Sequence, residues 1–163
     1  MKENVYTSSF LLFSVVLLLL SLLVQASHAK DYTGWEIDSP YNKIYNPKEI
    51  GSIKGKVVKF VDVTPLPGMA SGTGMIVVEG KDDKTLVHIC PESYASARET
   101  GIRIGEKVKV KGSWVEIGDD IVFIASKIKQ GDNFVFKVRK TSDGTPFWTM
   151  SKEELAYEKS QVE

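Results

Sequence analysis

His88 and Cys90 stand two residues apart in the run Leu86-Val87-His88-Ile89-Cys90-Pro91. An imidazole and a thiolate are both ligands for a soft metal, and residues two apart on a regular strand share a face. With the thioether of Met69 as a third donor, the set would suit a metal ion, or His88 would serve as an axial ligand to haem. A structural metal centre usually takes four protein ligands, and no second pair accompanies these two. The simpler expectation is a hydrogen-bonded histidine and a buried thiol inside a tight fold. A Cys–His nucleophile also needs a third group to orient the base, and none can be named. No catalytic residue is therefore assigned, no enzyme activity is expected, and no cofactor is required. The metal set of His88, Cys90 and Met69 stays as the alternative.

A second group is cationic. Lys54 and Lys56 lie in one predicted strand, and Lys107, Lys109 and Lys111 alternate with Val108, Val110 and Gly112 in another. If those strands pair, the five lysines form one stripe that suits an acidic surface, such as anionic lipid head groups or a polyanionic glycan. The plainer expectation is a solvated barrel exterior whose lysines protect an edge. A third group is the glycine-rich loop over 64–74, where backbone approaches closely to whatever packs on it. No Gly-Lys-Ser/Thr follows it, so it is not a phosphate loop. Met69 and Gly72 of this loop, with His88, Tyr94 and Trp114, make up the expected ligand-binding set. The pairs Asp82-Asp83 and Asp119-Asp120 fall at turn tips.

The elements that would position these groups follow from periodicity and breakers. Strands are predicted over 52–63, 75–79, 85–90, 106–114 and 121–128. Gly55 and the Val57-Val58 pair mark a bend or bulge in the first. Pro91 opens a short helix to about residue 100, closed by Gly101. Five strands with a helix after the third fit an all-β, five-stranded OB-like Greek-key barrel. Met75-Ile76-Val77-Val78 and Leu86-Val87-His88-Ile89 are apolar on both parities, so the outer face of the second and third strands should be covered. The available covers are an aromatic N-terminal arm over 30–50 and a C-terminal hairpin over 131–150, turning at Asp143-Gly144. Ser151 and Glu154 fit a capping box for the tail, 151–163.

The chain has 163 residues and balances 21 Lys and Arg against 21 Asp and Glu. That neutrality gives no long-range attraction to polyanions. Residues 1–29 are predicted to be a signal peptide: an apolar run from Phe10 to Val24, then Ser27-His28-Ala29 as the cleavage site. The run is shorter than a membrane span requires, although an uncleaved anchor is the alternative. The barrel proper spans 51–130, and a periplasmic or secreted location follows. Cys90 is the only cysteine, which rules out an internal disulfide. The expected partner is a protein, a glycan or a small molecule. Export, and acids in the loop after the fourth strand (Glu116, Asp119 and Asp120), argue against nucleic acid. A membrane is expected to be met only through an uncleaved signal segment.

Ser39-Pro40-Tyr41-Asn42, Tyr45-Asn46-Pro47, Gly55-Lys56-Val57-Val58, Gly68-Met69, Val87-His88 and Gly112-Ser113, with Gly131-Asp132 and Asp143-Gly144-Thr145-Pro146-Phe147-Trp148, carry a resemblance. On them the mature chain resembles small exported bacterial proteins with an OB-like barrel and no characterised function. More remotely, it is similar to periplasmic bacterial OB-fold proteins linked to stress. The resemblance implies the fold and export, and it brings no catalytic residue. The chain departs from the group after His88, where Ile89-Cys90-Pro91-Glu92-Ser93-Tyr94 introduces a thiol. The expected function is an exported, non-catalytic OB-fold binding module, with periplasmic metal or haem binding through His88 and Cys90 as the alternative.

Overall fold

The computed structural model describes residues 30–161, so the predicted signal peptide lies outside the described residues. Six strands follow one another: β1 (Ile50–Val63), β2 (Gly72–Glu79), β3 (Asp83–Pro91), β4 (Lys107–Ile117), β5 (Asp120–Gln130) and β6 (Phe134–Lys137). They lie in the order β3-β2-β1-β4-β5-β6. A parallel pairing of β3 with β5, Val87 opposite Phe123 and His88 opposite Ile124, closes the first five into a barrel. β6 pairs with the far end of β5, from Lys127 to Gln130. This is the five-stranded OB-like barrel that the sequence predicts.

The closure depends on local breaks in pairing. β1 bulges between Val57 and Lys59 against β2, as the Val57-Val58 pair led us to expect. β4 and β5 shift register between Lys111 and Gly112. A Cβ on Gly112 would fall 2.0 Å from the Ile124 carbonyl oxygen, so only glycine allows the approach. The core is filled by residues of one parity from each strand, including Ile53, Val57, Met75, Val77, Val87, Val110, Phe123 and Ile128.

The predicted helix after β3 is not continuous. Two single helical turns stand there instead, Ala95 N–H to Pro91 O and Thr100 N–H to Ser96 O. The Ser96 backbone N–H and hydroxyl both turn aside to Glu99 Oε2, which interrupts the run between them. Gly101 does close the segment with a φ of 72°. The tail carries the predicted capping box: Ser151 Oγ accepts from Glu154 N–H ahead of a helix, Lys152–Ser160. A four-residue helix, Pro40–Lys43, is capped by Ser39. We call these α1 (Pro40–Lys43) and α2 (Lys152–Ser160). Residues Asp31–Glu163 form a compact unit, and its described buried hydrophobic residues run from Trp35 to Trp148, so this unit carries a core of its own.

Candidate functional site

The outer face of β3 is occupied by the chain's own N-terminal segment. Trp35 is fully buried, and its Nε1 donates to Ala70 O at 2.9 Å, while Ala70 N–H donates to Thr33 O. Gly72 leaves room for that indole: a Cβ there would lie 2.3 Å from Trp35 Cζ2. Met69 packs on Gly34, whose Cβ would lie 2.4 Å from Met69 Cγ. The 64–71 loop is thus pinned, and Met69 and Gly72, expected to grip a ligand, hold the arm.

His88 is 3 % exposed, and its Nδ1 sits 3.1 Å from the Tyr41 hydroxyl. Burial raises the Tyr41 pKa, so the phenol stays protonated and can either donate to or accept from Nδ1, according to the His88 tautomer. Burial first, and the Arg139 charge second, hold the His88 imidazole down at about 4. Cys90 is fully buried, donates to Ala95 O at 3.5 Å, and has its thiol pushed up to about 12 by burial.

The expectation that His88 and Cys90 share a face is corrected by a bulge. Cys90 pairs with Thr73 and His88 with Gly74, so Ile89 is an extra residue against two consecutive positions of β2. Consecutive residues of β2 face opposite ways, and His88 and Cys90 go with them. Their partners agree: Thr73 Oγ1 and Cys90 Sγ both reach Ala95 O, whereas His88 meets Tyr41. Among the described residues, no three side chains of His, Cys, Asp and Glu are gathered as a metal would need. The metal alternative has lost its geometric premise.

Sequence reasoning missed the centre of this covered face, Arg139. It is buried, and its Nη1 donates to Asn42 Oδ1 at 2.7 Å and to Gly144 O at 3.2 Å. Its guanidinium carbon lies 4.6 Å from the Trp148 ring centroid and 5.7 Å from that of Tyr41. The rings balance the charge in part, and burial lowers the pKa. Among the described residues, Nε and Nη2 have no hydrogen-bond partner. Asn42 Nδ2 and Trp148 Nε1 both donate to Trp35 O, and Tyr41 meets His88, so the N-terminal segment with α1, the C-terminal hairpin and β3 meet in one network. Tyr94 joins it, its ring tilted at 56° and centred 5.8 Å from Trp148. An arginine in a hairpin carries no sequence signal that it will be buried.

Met69, Gly72, His88 and Tyr94 therefore cluster around Trp35, Tyr41 and Trp148. Trp114 does not join them. It pairs with Phe123, ring centroids 4.9 Å apart, whereas His88 pairs with Ile124. Phe123 and Ile124 alternate, so Trp114 and His88 lie on opposite faces of the sheet.

The open face belongs to the lysines. Lys54 pairs with Lys109, and Lys109 with Lys129; Lys56 pairs with Lys107; Lys111 pairs with Lys127, and Lys127 with Lys137. The predicted stripe of Lys54, Lys56, Lys107, Lys109 and Lys111 is thus joined by Lys129 and Lys137 in a lattice over four strands, while Lys127, between Lys111 and Lys137, is buried. The alternation Lys127-Ile128-Lys129 signalled the extension, but register was needed to align it. Lysines lie ~5 Å apart across strands and ~7 Å apart along them, measured at the backbone. Like charges directly opposed are unfavourable. Lys137 Nζ donates to the Glu158 carbonyl in the last turn of α2 and to the carbonyl of its C-cap, Gln161, and Glu79 Oε1 at the lattice edge accepts from Lys54 N–H. Two concavities open on the lattice and share Lys109 and Lys129, one of about 800 Å³ floored by Gly55, Val78 and Val108, the other of about 470 Å³ beside Ser52.

Comparison with known proteins gives three results. No curated protein matches the chain. Among solved structures, it is similar to the mitochondrial single-stranded DNA binding protein Rim1 of S. cerevisiae, with 14 % identity and a TM-score of 0.43 over 55 % of this chain and 97 % of that one. It is also similar to a chain of the Stn1-Ten1 complex of S. pombe, with 16 % identity and a TM-score of 0.39 over 80 % of this chain and 92 % of that one. The expectation that set nucleic acid aside is corrected by this: a single-stranded DNA binding protein stands among the similar structures, so nucleic acid is not removed from the partners. The sequence pattern of the MamS/MamX magnetosome proteins matches residues 49–135, which is more than half of the chain and takes in all five barrel strands with their lysines, Lys137 of β6 lying just beyond it. On that match the chain belongs to the MamS/MamX magnetosome protein family.

Proposed function

We propose that this protein is an exported, non-catalytic binding module that holds an anionic partner on the lysine lattice of β1, β4 and β5. The supporting observation is the lysine-to-lysine pairing: Lys54 with Lys109, Lys109 with Lys129, and Lys56 with Lys107. Opposed like charges cost stability, and an anion laid across the rows relieves that cost. The face on β2 and β3 that OB-folds commonly use is filled here by Trp35, Tyr41 and Trp148. The family name ties relatives to magnetosomes, and a cleaved signal after Ala29 would deliver this chain to the far side of a membrane.

The test is retention of the chain from Lys30 to Glu163 on immobilised heparin, a polyanionic glycan. The reading predicts retention at low salt, elution as salt rises, and flow-through of Lys54→Glu/Lys109→Glu. Flow-through of the wild-type protein at low salt would sink it. Native mass spectrometry of the protein from its own host checks export: a mass beginning at Lys30 supports cleavage, and a mass beginning at Met1 contradicts it.

A further inference from the structure

Val58 and Val135 are out of place on a purely solvated face. Val58 is 46 % exposed and follows Lys54 and Lys56 at the same parity, in the β1 bulge. Val135 is 43 % exposed and pairs directly with Lys129, which places it on the lattice row of Lys54 and Lys109. Ile104, 59 % exposed, stands beside Gly105, whose Cβ position is 3.9 Å from Lys56 Cε. The lysine field is therefore flanked by three exposed aliphatic side chains. Phe134 and Phe136, the aromatic residues of β6, alternate with Val135 and belong to the other face.

We infer that this face docks on the surface of an anionic phospholipid bilayer. The inference rests on the proposal that the lattice is the binding surface, and it names the partner class. Charge complementarity supplies the attraction, since lysines near an anionic bilayer each add to the binding and act within about a Debye length. The aliphatic flank supplies the choice among polyanions. Val58, Val135 and Ile104 gain by entering the boundary between head groups and acyl chains. They gain nothing from a sulfated glycan, and they offer no ring on which a base would stack. The long lysine stems let the ammonium groups reach phosphates while the valines settle below them.

The experiment is co-sedimentation of the chain from Lys30 to Glu163 with vesicles of phosphatidylcholine alone or mixed with phosphatidylglycerol. Heparin and a single-stranded oligonucleotide serve as soluble competitors. The protein is expected to pellet with the mixed vesicles and not with phosphatidylcholine alone. Raised salt is expected to release most of it. Lys54→Glu/Lys109→Glu is expected to weaken partitioning by at least about tenfold, from the contribution of each lysine at an anionic surface. Val58→Ser/Val135→Ser is expected to weaken vesicle binding while leaving heparin retention unchanged. Lys48→Glu, an exposed change in the N-terminal segment, is expected to bind as the wild type does. The salt titration of the wild type keeps the test valid even if a double variant folds poorly. Equal pelleting with and without phosphatidylglycerol would overturn the inference. So would heparin or oligonucleotide binding with no vesicle binding, and in that case the anion-binding reading survives. Loss of vesicle and heparin binding together would remove both.

Discussion

Tyr41 Oη and His88 Nδ1 lie 3.1 Å apart, joining the N-terminal segment to the barrel through a neutral histidine. His88 takes up a proton at its ordinary value of 6.5 when unfolded, but only at about 4 when folded. Stability that depends on a neutral His88 is complete above pH 6.5 and is lost as pH falls through the folded value, a span worth ~3 kcal/mol at most. Denaturant melts from pH 7.5 to 4 should show that loss. His88→Gln, which keeps an acceptor for Tyr41, should flatten the profile over this window. An unchanged profile would separate acid sensitivity from His88.

Arg139 contributes to the depressed His88 pKa, so removing its charge should raise it. Arg139→Met is expected to shift the His88 titration upward toward 6.5, read from its imidazole proton resonances. The same variant leaves Asn42 Oδ1 and Gly144 O without a donor, which should cost ~1–3 kcal/mol for each group. An unmoved titration would show that burial alone sets the value.

Trp35 holds the covering segment through Ala70 and lies in edge-to-face contact with Tyr41 and Trp148. Trp35→Ala should destabilise the protein by ~3–5 kcal/mol, the usual cost of deleting a large buried ring. It should also expose 64–71 to protease before the barrel strands. Simultaneous cleavage throughout would mean that the segment and the barrel unfold together.

Cys90, with its thiol up at about 12 and wholly buried, should not react with a thiol-specific disulfide reagent at pH 8 until denaturant is added. Rapid reaction in the native protein would contradict the closed face.

The barrel was legible because its signals are local. Lys107, Lys109 and Lys111 alternate with Val108, Val110 and Gly112, and that alternation is a strand with one wet face. The apolar runs 75–78 and 86–89 implied a covered sheet; the cover lies over His88, under Tyr41, whereas Ile76, Val78 and Leu86 stay half-buried. The bulge at Ile89 was not legible, because it is created by pairing with Thr73 and Gly74 on another strand. The joining of Lys129 and Lys137 to the lysine stripe escaped for the same reason: register is a relation between strands. Arg139 was missed because its burial depends on Tyr41, Asn42 and Trp148, far away in sequence or across the hairpin.

The central claim is that binding occurs on the lysine lattice and not on the arm-covered face of β2 and β3. Backbone amide hydrogen exchange, measured with and without phosphatidylglycerol vesicles, tests it most directly. The account predicts slowed exchange in segments 52–58, 107–111, 127–129 and 134–137, with 72–77 and 86–90 unchanged. Protection confined to 72–77 and 86–90, or exposure of 31–47 on binding, would contradict it.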